Sequence, residues 1–160
     1  MTDAPSAPDH PGIIAPPPLI YLGVLLLAFG FDWMLAGPGL GLPYGLRMAA
    51  GAVLLIPGLA LPLAGGTRFM ASKTNIHPWK PATTIVTSGI FRYTRNPMYL
   101  GMALIYAALS VFGDSVIALV GLPVALAFMH YGVIVREERY LERKFGEPYR
   151  QYKRKVRRWA

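Results

Sequence analysis

The stretch PMYLGMALIYAALSVFGDSVIALVGLPVALAFMHYGVIV, from Pro97 to Val135, contains two apolar segments joined by a very short turn. The segments 97–113 and 115–135 contain no Asp, Glu, Lys or Arg. A helix needs about 20 residues to cross the hydrocarbon core, with about 17 as the lower limit. Because only Gly113 and Asp114 stand at the junction, we predict two membrane-spanning helices in an antiparallel hairpin.

Two further apolar segments precede this hairpin, at 19–36 and 48–67, and a Gly/Pro-rich link joins them. The chain is 54% hydrophobic and 15% charged, which is typical of a membrane protein. We therefore predict an all-α integral membrane bundle of about four transmembrane helices. We expect residues 1–15 to be a disordered tail and 16–160 a single membrane domain, with a cytosolic loop at 68–96 and an amphipathic, cytosolic helical segment at 136–160.

The positive charges indicate the orientation of this bundle. Four crossings place both termini and the 68–96 loop on one side, which then holds all of the 16 Lys and Arg residues except Arg47. Cytoplasmic loops carry the excess of Lys and Arg. We therefore expect both termini in the cytoplasm, in a prokaryotic inner membrane. Since the basic residues flank apolar segments, we predict the membrane as a partner and no nucleic acid.

The sequence lacks the motifs of several kinds of functional site. Cysteine is absent, which excludes a disulfide framework and a thiolate nucleophile. There is no HExxH, no GxGxxG after a strand and no GxxxxGK[ST], and we expect no protein-bound metal.

One polar cluster lies at the start of the third apolar segment. Asn96 is suited to cap a helix and Pro97 to its first turn. Tyr93 and Arg95 come just before this start, and Tyr99 follows within the first turn. Helix N-termini attract anions, and arginine pairs with carboxylate or phosphate. The cluster predicts an anion site at the membrane surface; alternatively, the arginines are positive-inside anchors and the tyrosines an aromatic belt.

A second polar cluster lies at the end of the fourth segment. His130 precedes Glu137 and Glu138 by seven and eight residues, so the three are expected on one helical face, about two turns apart. Ionisable residues in spans are functional candidates, although the glutamates could instead pair with neighbouring arginines. After a helix restart at Pro148, the aromatic face of the tail is predicted to meet lipid.

Both clusters resemble motifs of one superfamily. TSGIFRYTRNPMYLG, at 87–101, is similar to the R-H-P-x-Y-x-G signature of the isoprenylcysteine carboxyl methyltransferase and phospholipid methyltransferase superfamily. EERYLERKFGEPYRQYKRKVRRW, at 137–159, resembles its E-E-x-x-L-x-x-x-F-G-x-x-Y-x-x-Y ending. Asn96 departs from the pattern, which has histidine at that position.

The resemblance implies a membrane methyltransferase that uses S-adenosylmethionine and takes a lipid or small hydrophobic acceptor. We hypothesise that Arg95 binds the cofactor's carboxylate and that Glu137 or Glu138 binds its amino group or ribose hydroxyls. The predicted catalytic residues are Arg95, Glu138 and His130. The predicted cofactor-binding residues are Tyr93, Arg95, Asn96, Pro97, Tyr99, Gly101, His130, Glu137 and Glu138.

Three alternatives to this function stay open. The acceptor could be the amine of a phospholipid headgroup, because N-methylation shares these motifs. A reductase of related architecture would use NADPH. A scaffold without catalysis would use its basic tail to bind anionic lipid.

Overall fold

The computed structural model describes residues 9–75 and 80–159. Within these ranges the chain is all-helical and contains no β-strand. Four apolar helices run up and down: α1 (Pro17–Leu35), α2 (Tyr44–Ala71), α3 (Pro97–Phe112) and α4 (Val116–Met129). The fold class predicted from the sequence, a helical membrane bundle, is confirmed.

Three helical stretches have lengths that fit a membrane, and α3 is shorter. Three stretches are long and apolar enough to cross it: Pro17–Leu35, Tyr44–Ala71 and the continuous helix Val116–Phe145. The helix α3 has 16 residues, or about 24 Å at 1.5 Å per residue, which is shorter than a hydrocarbon core of about 30 Å. Large apolar side chains such as Leu27, Val53 and Leu63 point outward and are mostly exposed, as expected of lipid-facing surfaces.

The α3–α4 hairpin is the centre of the bundle. Its turn residue Asp114 has φ +56°, and the Ser115 hydroxyl accepts a hydrogen bond from Ala118 N (2.9 Å), which caps α4. Asp114 pairs with Arg47 at the start of α2, and its carboxylate accepts a hydrogen bond from Leu40 N (3.0 Å). We call this end of the bundle the hairpin end, and the opposite end, where α3 begins, the cavity end.

The outer helices pack on opposite sides of the hairpin. The helix α2 lies along α3, and α1 lies mainly along α4. The α2–α3 contact is close because Gly58 faces Gly101 and Ile105 without a side chain between the backbones. A Cβ at Gly101 would meet Pro62 and would lie 2.8 Å from Gly58 O.

Beyond α4 the chain continues through a π-turn (His130–Ile134) into α5 (Val135–Phe145). A sharp bend at Gly146 then leads to α6 (Glu147–Lys155), which has Pro148 in its first turn as the sequence predicts. A single 3₁₀ turn, Gly89–Arg92, lies just before α3.

The N-terminal residues differ in part from the predicted disordered tail. Residues 1–8 lie outside the described residues. From Asp9 onward the chain lies against the bundle, where Ile14 N donates to Gly132 O (3.2 Å) and Arg136 Nη1 donates to Gly12 O (2.8 Å). The Asp9 carboxylate accepts hydrogen bonds from Lys144 and Tyr140, which lower the pKa of Asp9 below its usual value.

Candidate active site

A cavity opens at the cavity end, between the start of α3, one face of α5, α6 and the segment before α3. Its volume is about 120 Å³, which is below the range of about 300–1,000 Å³ found for small-molecule sites, so a larger ligand would extend out through its mouth. Six of the predicted site residues line it: Arg95, Asn96, Pro97, Tyr99, Glu137 and Glu138.

The Arg95 side chain carries hydrogen-bond donors that the protein does not use. It is mostly buried, with 9% of the side chain exposed, and it forms an ion pair with Glu138, in which Nη1 lies 3.1 Å from Oε1. Within the described residues, however, neither Nε nor Nη1 of Arg95 makes a hydrogen bond. Buried polar groups normally have partners, so these donors are available to an anionic ligand.

Glu138 is held mainly by Arg158. Arg158 Nη2 donates to Glu138 Oε2 (2.7 Å) and Arg158 Nε donates to Oε1 (3.0 Å), a bidentate pair. These hydrogen bonds raise the pKa of Arg158 above its usual value. Lys153 Nζ adds a cation 3.9 Å from Glu138 Oε2. Because this carboxylate is already paired, it has little capacity left for a ligand.

Glu137 has a different environment from its neighbour. Its Oε1 accepts a hydrogen bond from Tyr99 OH (2.7 Å), and the Tyr99 carbonyl accepts one from Tyr21 OH (3.1 Å). No Lys, Arg or His of the described ranges lies within 4 Å of the Glu137 carboxylate. A carboxylate in a cavity without a cation is suited to bind a positively charged group or to accept a proton.

Aromatic side chains of α6 form another wall of the cavity. Tyr149 is buried, and Tyr152 OH donates to Phe91 O (2.8 Å). Burial raises the pKa of Tyr152 to about 12 and that of Tyr149 further, so both phenols are neutral at pH 7. The prediction that the aromatic face of the tail meets lipid is therefore wrong for these two tyrosines, which pack against the protein instead.

The last described residues form what we call the C-terminal strap, Val156–Trp159. The helix α6 ends at Lys155, so the strap is not part of the predicted amphipathic helix. Arg95 N donates to Arg157 O (3.0 Å), and both Thr94 Oγ1 (3.1 Å) and Asn96 Nδ2 (3.0 Å) donate to Arg158 O. The strap thereby holds the segment that carries Arg95.

Asn96 differs in its role from the sequence prediction. The helix α3 begins after it, at Pro97, as expected, but the Asn96 side chain makes no capping hydrogen bond. Its amide binds the strap, as described above. Asn96 lines the cavity, and one of the two N–H donors of its side-chain amide is used by the strap.

Three predicted site residues are not brought to the cavity lining. Tyr93 is 76% exposed. Gly101 is buried against α2, where its role is close helix packing. His130 lies beside Arg158, whose Nη1 is 3.3 Å from its Nδ1, and lines a separate surface depression with Trp159.

The π-turn explains why His130, Glu137 and Glu138 do not all lie on one face of the helix. An α-helix turns about 100° per residue, so Glu137 and Glu138 would lie about 20° and 80° from His130. The additional residue of a π-turn shifts both by about 100°. Glu138 then lies on the His130 side, where Arg158 contacts both, and Glu137 points towards Tyr99.

Two residues of the candidate site, Arg158 and Tyr140, were not predicted from the sequence. Arg158 was one of many basic residues in the tail, and no local signal distinguishes it. Tyr140 lines the cavity, and its hydroxyl accepts from Ala82 N (3.1 Å) and Lys144 Nζ (3.1 Å), which ties α5 to the segment before α3. No group of three or more His, Cys, Asp or Glu side chains suited to a metal occurs among the described residues.

The fold and cavity define a class of protein: a helical membrane protein with a cavity lined by charged and aromatic side chains at one end of its bundle. The family model for phospholipid methyltransferase matches residues 46–148, more than half of the chain. The chain therefore belongs to the phospholipid methyltransferase family, within the superfamily that its motifs resemble. Membership indicates a membrane methyltransferase, and the three long apolar helices fit an integral membrane protein.

Part of this chain is also similar in sequence to an individual protein. An uncharacterized protein of Haemophilus influenzae is 44% identical over 62 residues, which are 39% of this chain and 98% of that protein. No solved structure matches this chain.

Proposed function

We propose that this protein transfers a methyl group from S-adenosylmethionine to a lipid-like acceptor at the cytoplasmic face of the membrane. One observation carries the proposal: a single cavity contains Arg95, whose Nε and Nη1 make no hydrogen bond in the described residues, and the Glu137 carboxylate, which has no cation of those residues within 4 Å. The methionine part of S-adenosylmethionine is a zwitterion with a carboxylate and an ammonium group. The two side chains are complementary to these two charges.

The residues of the cavity fit this cofactor. Arg95, together with the N-terminus of α3, would bind the carboxylate, because both offer donors and positive charge. Glu137 would bind the ammonium group. The rings of Phe91 and Tyr149 would pack against the adenine or the sulfonium, since aromatic faces attract cations. When bound, the cofactor supplies an activated methyl group.

The catalytic roles predicted from the sequence change in this proposal. Glu138 becomes a positioning residue, because its carboxylate is occupied by Arg158 and lies next to Arg95. His130 is not a lining residue of the cavity, so we assign it no contact with the cofactor. Arg95 keeps the role of binding the cofactor's carboxylate.

The protein's contribution to the reaction is mainly positioning and the exclusion of water. Tyr149 and Leu141 line the cavity and limit access of solvent to it. For an acceptor that must lose a proton, Glu137 would serve as the general base instead of binding the ammonium group, and Tyr99 holds its carboxylate in place. Because α3 begins directly after a polar segment that contains Arg92 and Arg95, its first turn is expected near the lipid headgroups, where a lipid acceptor presents its reactive group.

A second candidate acceptor is the amine of a phospholipid headgroup. The observation that favours it is again Glu137, because an amine must lose a proton to be methylated and a carboxyl acceptor need not. The reductase and scaffold alternatives differ in their ligands. A reductase would bind NADPH in preference to S-adenosylmethionine, and a scaffold would bind neither.

Binding of labelled S-adenosylmethionine to the purified full-length protein in detergent tests the proposal. Arg95→Gln is expected to weaken binding about 30-fold, since a hydrogen bond to a charged group contributes about 2 kcal/mol. Arg92→Gln is the matched control, because Arg92 is exposed and adjacent in sequence. Equal binding by both variants, or displacement of the label by NADPH at lower concentration than by unlabelled cofactor, would contradict the proposal.

A further inference from the structure

The outer face of α4 carries an open apolar groove of about 670 Å³, which we call the α4 groove. Pro123, Ala127 and Tyr131 line it at four-residue intervals, as do Val124 and Phe128 on the neighbouring row. None of its lining residues lines the cofactor cavity in the described part of the chain. The α4 groove is therefore a separate feature of the molecule.

The N-terminal segment builds one wall of the α4 groove. Ile14 packs directly over Gly132, where a Cβ would overlap the Ile14 side chain. The hydrogen bond from Ile14 N to Gly132 O fixes this contact. The groove therefore depends on a glycine in the π-turn and on a defined position of the segment.

A cation lies at one end of the α4 groove. Arg136 lines it and is exposed, and its Nη1 donates to Gly12 O (2.8 Å). That bond orients the guanidinium and leaves most of its five N–H donors free. No carboxylate of residues 9–75 and 80–159 lies within 4 Å of Arg136.

The position of the α4 groove within the thickness of the membrane indicates which kind of molecule occupies it. Pro123 to Tyr131 lie within the apolar stretch 115–135, where hydrocarbon chains surround the protein, whereas Arg136 lies at the level of the headgroups. The distance from Pro123 to Arg136 along the helix is about 20 Å at 1.5 Å per residue. An apolar channel of this length that ends at a free guanidinium is complementary to one acyl chain and the phosphate of a phospholipid.

We propose that the α4 groove is a binding site for an anionic glycerophospholipid, with an acyl chain along Pro123, Ala127 and Tyr131 and the phosphate on Arg136. The site is distinct from the site of methyl transfer. It requires neither the cofactor nor the reaction, so it can be tested even if the proposed function fails.

Native mass spectrometry of the detergent-purified full chain tests this site, with phosphatidylglycerol and phosphatidylcholine as probes. We expect one retained phosphatidylglycerol and at least about 10-fold weaker retention of phosphatidylcholine, because only the former has a net negative charge. Arg136→Gln and Ala127→Phe, which fills the groove at an exposed position, are expected to lower phosphatidylglycerol retention about 10-fold.

Two control variants separate the site from a general lipid coat. Arg143→Gln removes another exposed arginine of α5, and Val53→Phe enlarges an exposed side chain on α2; both should retain phosphatidylglycerol within about twofold of wild type. Equal retention of the two lipids would overturn the proposal, as would equal losses in Arg136→Gln and Arg143→Gln. A dimer mass that disappears in Ala127→Phe would also overturn it, by identifying a second copy as the occupant.

Discussion

We hypothesise that Arg158, by pairing with Glu138, leaves the donors of Arg95 available to a ligand, and replacing Arg158 tests this charge arrangement of the cavity. In the structure, Arg158 occupies both oxygens of Glu138, and Arg95 Nη1 lies 3.1 Å from the same carboxylate without a hydrogen bond. In Arg158→Gln, we expect the ion pair that Glu138 already forms with Arg95 to become a direct hydrogen bond, because Lys153 is 3.9 Å away. Arg95 would then be withdrawn from the cofactor.

The size of this effect follows from the contact that is lost. A hydrogen bond to a charged group contributes about 1.5–3 kcal/mol, and 1.4 kcal/mol corresponds to a factor of ten. The dissociation constant of S-adenosylmethionine should therefore rise about 10- to 100-fold in Arg158→Gln. Equilibrium dialysis with labelled cofactor measures it, and Lys155→Gln, which removes one exposed charge at the end of α6, serves as the control.

A double variant distinguishes this explanation from a general disturbance of the C-terminal strap. In Arg158→Gln/Glu138→Gln the competing carboxylate is gone, so Arg95 is again free and binding should recover by about 10-fold over the single variant. Wild-type affinity in Arg158→Gln would refute the reasoning. So would a double variant that binds no better than the single one.

Two further predictions concern packing and buried hydroxyls. Gly101→Ala should lower the thermal midpoint and destabilise the protein by about 1–3 kcal/mol, because the new methyl group meets Pro62. Gly66→Ala, which faces open space within α2, should keep or raise the midpoint in the same thermal scan, since Ala favours a helix more than Gly does. Tyr106 OH is buried without a hydrogen-bond partner in the described residues, so Tyr106→Phe should keep or raise the thermal midpoint. Tyr21→Phe should lower the midpoint, because it loses the hydrogen bond to the Tyr99 carbonyl, which contributes about 1 kcal/mol. Lower stability in Tyr106→Phe than in Tyr21→Phe would show that this assignment of partners is wrong.

The helices themselves could be predicted because their signals are local. Pro97 and Pro148 each stand in the first turn of a helix, as their fixed φ favours. The turn at Gly113 and Asp114 is too short for anything but a hairpin. Apolar length alone located the four apolar helices, with boundaries that differ from the structure by up to six residues, at the end of α4.

Much of the candidate site could not be predicted, because it depends on long-range contacts. The π-turn at His130–Ile134 places Glu138 next to Arg158 and Glu137 next to Tyr99, and a helical periodicity of 3.6 does not reveal it. The pairing of Arg157 and Arg158 with the segment before α3 joins residues more than 60 positions apart. Tyr149 has an amphipathic spacing that fits lipid or protein equally well, and only tertiary packing decides between them.

The central claim is that the cavity containing Arg95 and Glu137 is where methyl transfer occurs. The most direct measurement supplies methyl-labelled S-adenosylmethionine to the full-length protein in bilayers of native lipid extract and identifies labelled products by mass spectrometry. We predict a labelled lipid-like product with the wild type and a loss of at least about 100-fold in rate with Glu137→Gln, in the range typical of removing a general base. No labelled product with the wild type, or equal labelling by wild type and Glu137→Gln, would contradict the claim.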